Sequence, residues 1–127
     1  LENYMVSILK SGEIISIFPE GTRTLSGVMG RFKAMAAKIA IRAGVPIIPT
    51  GISGAWNLST PQAILSGQTK SSFIKYNIGV PIYPDSFPQE PEKKAAKILT
   101  EELEKKVYFL TTHPERRGKP RRFATKL

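Results

Sequence analysis

An apolar run, Ile14-Ile15-Ser16-Ile17-Phe18, stops abruptly at Pro19 and leaves few choices of fold. A nearly unbroken run of this kind, without alternation, suits a strand covered on both faces, the habit of α/β sheets. Pro19 has no N–H to give to a ladder, and Gly21 allows backbone angles closed to other residues. The strand is therefore expected to end in a sharp loop, Phe18-Pro19-Glu20-Gly21-Thr22-Arg23-Thr24. Ligands of open α/β sheets gather outside the carboxyl ends of strands, which makes this loop the first place to look for a site.

The remaining elements alternate around that strand. Glu2–Lys10 reads as the end of a helix, with Tyr4, Met5, Ile8 and Leu9 at helical spacing and Gly12 as a stop. Gly27–Gly30 reads as a flexible connection, and Phe32–Ala43 as a helix whose stripe is Phe32, Ala36, Ile39, Ala40 and Ala43, closed by Gly44 and Pro46. Val45–Ile52 is apolar but carries Pro46 and Pro49, so it is expected to be an edge or interrupted strand. Phe73–Tyr83 alternates, with Ile74, Tyr76 and Ile78 on one face and Lys75 and Asn77 on the other, the pattern of a half-exposed strand. Glu92–Leu110 reads as a helix opened by Pro91, with the stripe Ala95, Leu99, Leu103, Val107 and Leu110. The order predicts an α/β fold, a mixed sheet flanked by helices, with residues 51–72 as the longest loop.

Composition sets limits on function. At 127 residues the chain holds one domain at most, read as a single unit over 1–112 followed by a basic tail, 113–127. No cysteine occurs, which removes disulfides, thiolate metal sites and a cysteine nucleophile together. No apolar run approaches the roughly 20 residues that cross a bilayer. The net charge of +9 has two sources: residues 31–60 hold four basic residues and no acidic one, and residues 91–127 hold eleven against five. Charge of that sign favours anionic surfaces and does not by itself choose between phospholipid and nucleic acid.

The loop after Phe18 carries chemistry as well as architecture. Arg23 offers a planar fork of donors suited to phosphate or carboxylate, Thr22 adds a hydroxyl, and Glu20 could accept from backbone amides or hold Arg23. The plainer reading is a surface turn in which Glu20 and Arg23 pair, a contact worth about 0–1 kcal/mol. Arg31 and Lys33 then stand at the start of the next helix, where the macrodipole disfavours cations; a bound anion would reverse that penalty and use Arg23, Arg31 and Lys33 together. Against this, Lys33 could simply snorkel off the shoulder of the apolar stripe. Lys38 and Arg42 lie away from the stripe and read as ordinary solvated charges.

Three segments in order and spacing, Phe18–Thr24, Phe32-Lys33 and Val45–Ile52, resemble the glycerolipid acyltransferases of the 1-acylglycerol-3-phosphate acyltransferase type, and Ile78–Ile82 is similar to a further strand of that family. The resemblance covers about Leu1 to Pro84. It implies a glycerol-3-phosphate acyltransferase-like fold lacking its N-terminal elements, and a role for Glu20, Gly21, Thr22 and Arg23, with Arg31 and Lys33, in binding the acceptor phosphate. Pro46 and Pro49 are implied as site-forming residues. The implied reaction moves a fatty acyl group from an acyl-CoA or acyl-carrier-protein thioester to a hydroxyl of a glycerol phosphate, in phospholipid biosynthesis. The thioester serves as cosubstrate, and neither a cofactor nor a metal is expected. Membrane association on the cytoplasmic side, with the tail as a peripheral contact, is also implied.

One departure from the family pattern matters. Its general base is the histidine of a His-x4-Asp motif N-terminal to the loop, with the aspartate orienting the imidazole. The only histidine here is His113, and the residue five positions on is Gly118. No catalytic residue is therefore assigned, and the chain reads as the C-terminal part of an acyltransferase, inactive alone. The alternative is a non-catalytic basic module in which Arg116–Lys126 contacts anionic membrane or nucleic acid, but Phe123 is the tail's one aromatic, little for a single-strand binder.

Overall fold

The computed structural model describes residues 1–22, 28–54, 65, 74–86 and 91–111. Three helices and a two-stranded antiparallel ribbon make up the described architecture: α1 (Glu2–Lys10), α2 (Met35–Ala43), β1 (Thr50–Ser53), β2 (Lys75–Ile78) and α3 (Glu92–Leu110), with a short 3-10 turn at Pro84–Ser86. The α/β class stands. The expectations for the tail, for Gly27 and for most of the 51–72 loop lie outside the described residues.

The long helix α3 organises the rest. Pro91 supplies its N-cap, as the missing N–H of proline permits at a helix start, and the expected stripe turns inward. Leu99 is wholly buried and, with Ala96 and Leu103, meets Ala37 of α2 and Ile82, while Phe32, Ile41, Ile47 and Val107 close the edge of this core. Full burial of one leucine is worth about 1.5–3 kcal/mol, so this strip holds α2 and the segment after β2 on α3. Gly44, at φ +67°, ends α2 in the left-handed conformation, as its sequence position foretold.

Two sequence expectations are corrected. Ile14–Phe18 forms no strand: an apolar run becomes one only when a neighbour takes its ladder bonds, and no described strand lies beside it, so Ile14 is 94% and Phe18 72% exposed. Helix α2 starts at Met35, with Ala34 as N-cap, so Phe32 and Lys33 precede it and do not form its first turn.

The segment Val45–Ile52 behaves as an interrupted strand. Ile47 and Ile82 exchange backbone hydrogen bonds (2.9 and 2.8 Å), Gly79 donates to the Pro49 carbonyl (2.8 Å), and β1 then pairs with β2 in the register Thr50 with Ile78 and Ile52 with Tyr76. Pro49 is buried within the ribbon while Pro46 is exposed. The alternation of β2 is reversed from the usual arrangement: Tyr76 and Ile78 face outward, and Asn77 turns toward α3, where its side-chain amide donates to the Leu110 carbonyl at 2.6 Å. That bond satisfies one of the carbonyls left unpaired at a helix C-terminus and accounts for the inward turn of Asn77, while Lys75 stays exposed.

Arg42, expected to be merely solvated, ties three helices. Its guanidinium donates to Glu92 at the start of α3 (2.8 and 3.0 Å) and to Glu2 at the start of α1 (2.9 Å). The hydrogen bond and charge of Arg42 hold the Glu92 carboxyl below its ordinary value. A carboxylate depressed on folding contributes stability that is present above its unfolded pKa and lost as pH falls through the folded one. The stability difference between the native chain and Arg42→Ala is thus expected to be constant near neutrality and to shrink below about pH 4; denaturation at a series of pH values checks this, and a difference that grows on acidification would contradict it.

Candidate functional site

The loop after Phe18 is a closed turn. The Gly21 N–H donates to the Phe18 carbonyl at 3.0 Å, which spans four residues, with Pro19 second and Gly21 fourth, the placement type I turns favour. Gly21 itself sits at φ +72°. The positive φ is what calls for glycine there; a Cβ would also stand 2.8 Å from the Lys33 Nζ, the tip of a side chain that could move aside. The Lys33 side chain therefore lies across Gly21, and the sequence-predicted partners Gly21 and Lys33 are brought together.

What returns Lys33 to the turn is a set of backbone amides. The Lys33 N–H donates to the Pro19 carbonyl at 2.8 Å, and the Gly30 N–H donates to Oε2 of Glu20 at 2.7 Å. Glu20 thus takes the first of the two roles its sequence position left open, that of an acceptor for backbone. A third amide of the same segment, that of Phe32, donates to Oε2 of Glu104 at 3.2 Å. Arg31 is held between these anchored residues with its side chain exposed, and Thr22 is exposed beside Gly21. Arg23 lies outside the described residues, as does its pairing with Glu20.

The arrangement sets the Lys33 side chain against a hydrogen-bonded turn. Exposed cations at Arg31 and Lys33 border a turn whose own backbone is fixed by hydrogen bonds, and their neighbours Glu20 and Glu104 are occupied by amides. Lys33 precedes α2, so an anion beside it would also lie toward the open N–H groups of that helix, whose N-cap, Ala34, offers no side-chain acceptor. Among the described residues no group of His, Cys, Asp and Glu is arranged to hold a metal ion. Pro49, one of the two prolines read as site-forming, lines a separate open groove of about 470 Å³ with Gly79, Val80, Lys105, Phe109 and Leu110, whereas Pro46 stands exposed outside that groove.

Glu104 is the residue that sequence reasoning missed. Its signal was present: Ala96, Thr100, Glu104 and Tyr108 recur every fourth position along α3, a row adjacent to the apolar stripe, and all four are buried.

Residues 1–53 match the acyltransferase family model. A probable 1-acyl-sn-glycerol-3-phosphate acyltransferase of Mycoplasma pneumoniae is 32% identical over 100 residues, covering 76% of this chain and 38% of that protein. The 1-acyl-sn-glycerol-3-phosphate acyltransferase of Bacillus subtilis is 31% identical over 102 residues, covering 80% of this chain and 47% of that one. The crystal structure of the 1-acyl-sn-glycerophosphate acyltransferase of Thermotoga maritima superposes with a TM-score of 0.62 at 27% identity, over 86% of this chain and 45% of its own. The chain thus spans less than half the length of these relatives. The family model, these relatives and the fold agree in what the chain is similar to: part of an acyltransferase of the 1-acyl-sn-glycerol-3-phosphate acyltransferase type.

Proposed function

We propose that these residues form the acceptor-phosphate side of an acyltransferase that moves a fatty acyl group from a thioester of coenzyme A or acyl-carrier protein to a glycerol phosphate. The observation that carries the reading is the return of Lys33 across Gly21, which sets a cation over the turn that Glu20 and Pro19 hold in place. In this reading Lys33, Arg31, Arg23 and the Thr22 hydroxyl receive the phosphate, Gly21 gives the backbone room to approach it, and Glu20 shapes the turn. The proton of the attacking hydroxyl goes to a base from outside these 127 residues, since His113 has no aspartate at the required spacing. Lipid acceptors also imply contact with a membrane; among the described residues no helix is long and apolar enough to cross one.

A charge-assisted hydrogen bond is worth about 1.5–3 kcal/mol. In the complete enzyme Lys33→Ala and Arg23→Ala are each expected to raise KM for the phosphorylated acceptor by about 10-fold or more, with KM for the acyl donor unchanged. Steady-state kinetics with each substrate varied in turn checks this, and equal effects on both would reject the assignment.

A further inference from the structure

We infer that Glu104 is a positioning residue for the acceptor site, holding the cationic segment Gly30–Lys33 from beneath through the Phe32 amide. The inference rests on the proposed function for its link to the acceptor. The grip itself rests on geometry alone.

Glu104 is 2% exposed, on a helix face otherwise made of Ala96, Leu99, Thr100, Leu103 and Tyr108. Burying a carboxylate costs several kcal/mol unless partners compensate it, and an apolar residue of like size in such a place is often neutral or stabilising. A buried acid of this kind is therefore held in place by its partners. Among its partners the carboxylate accepts the Phe32 N–H at 3.2 Å, across 72 residues of chain. Phe32 lies between Arg31 and Lys33, so fixing its amide fixes the origin of both cationic side chains. Glu20 acts two residues earlier, on Gly30, from the turn itself. The segment is thus held at one point by the loop it serves and at another by α3, the helix that carries the core. Each carboxylate accepts a backbone N–H of the cationic segment, Glu20 at Gly30 and Glu104 at Phe32.

A purely structural acid would support the fold without preference between substrates, whereas a positioning one acts on the acceptor side. The test uses Glu104→Leu, which removes the acceptor atom and suits the apolar face, and Glu104→Gln, which keeps an oxygen able to accept the amide. In the full-length enzyme Glu104→Leu is expected to raise KM for the phosphorylated acceptor about 10-fold with KM for the donor within about 2-fold of native, and Glu104→Gln to recover most of the loss. Amide hydrogen exchange is expected to be about 10-fold or more faster at Phe32 in Glu104→Leu and close to native in Glu104→Gln.

A native acceptor KM in folded Glu104→Leu, equal shifts for both substrates, or unchanged exchange at Phe32 would each overturn the inference. Should Glu104→Leu fail to fold, Glu104→Gln decides: full loss of acceptor discrimination there overturns the hydrogen-bond role, and near-native kinetics with near-native Phe32 exchange supports it. If the native enzyme itself shows no acceptor-dependent transfer, the functional reading falls and the acceptor role with it. Exchange at Phe32 then still reports whether the grip exists, so the two failures are separable.

Discussion

Replacing Leu99 with alanine is expected to lower the unfolding free energy by about 3 kcal/mol, within the roughly 2.7–5 kcal/mol span of buried leucine truncations. The site explains why the loss should be that large. Leu99 is fully inaccessible, and two of its core neighbours, Ala37 and Ala96, have no side-chain torsion through which to fill the space. Ile82 and Leu103 could shift only by leaving positions that hold the segment after β2 and α3 together. Urea denaturation should show a lower midpoint with an unchanged slope. Val80→Ala, at a position 76% exposed, serves as the control and should stay within about 0.5 kcal/mol of native. A loss below about 1 kcal/mol for Leu99→Ala would show that this core relaxes or that α3 packs otherwise than described.

Gly51→Ala is expected to cost about 3 kcal/mol, the upper end of ordinary overpacking. A Cβ there would stand 2.6 Å from the Leu110 backbone carbon and 2.7 Å from its oxygen, so relief requires moving the end of α3 off the ribbon. That movement would also stretch the bond from the Asn77 amide to the same carbonyl. Gly79→Ala provides the internal comparison. Its nearest atom, at 2.8 Å, is the Leu110 Cδ1, the tip of a side chain that can swing away, so about 1 kcal/mol is expected. Thermal and chemical denaturation of the pair would test the ranking, and a Gly79 variant less stable than the Gly51 one would refute the packing of α3 on the ribbon.

Helices were the most legible part of the chain, because their evidence is local. The stripe from Ala95 to Leu110, Pro91 at the start and Gly44 at the end of α2 each follow from residues a few positions apart. Strands depend on partners far along the chain, and here pattern alone misled. Ile14–Phe18 has the composition of a buried strand and no described neighbour to pair with, while the apolar face of β2 looks outward and Asn77 turns in to the Leu110 carbonyl. Charges were similarly underread: helical position marked Arg42 as solvated, but nothing local could announce Glu2 and Glu92 as its partners.

For the site, the sequence by itself determined the turn. Proline second and glycine fourth after an apolar run dictate a tight reversal through backbone constraints that need no tertiary contact, and the cations at Arg31 and Lys33 follow within a dozen residues. Only the tertiary structure decided which groups meet there. Lys33 reaches Gly21 because Pro19 and Glu20 capture the amides of a returning segment, and Glu104 joins them because α3 carries it to Phe32. An amide left without an acceptor in a protein interior is costly, and every side chain that the folded chain brings near competes to satisfy it. Which one succeeds depends on how the helices pack, and that information is spread over the whole chain.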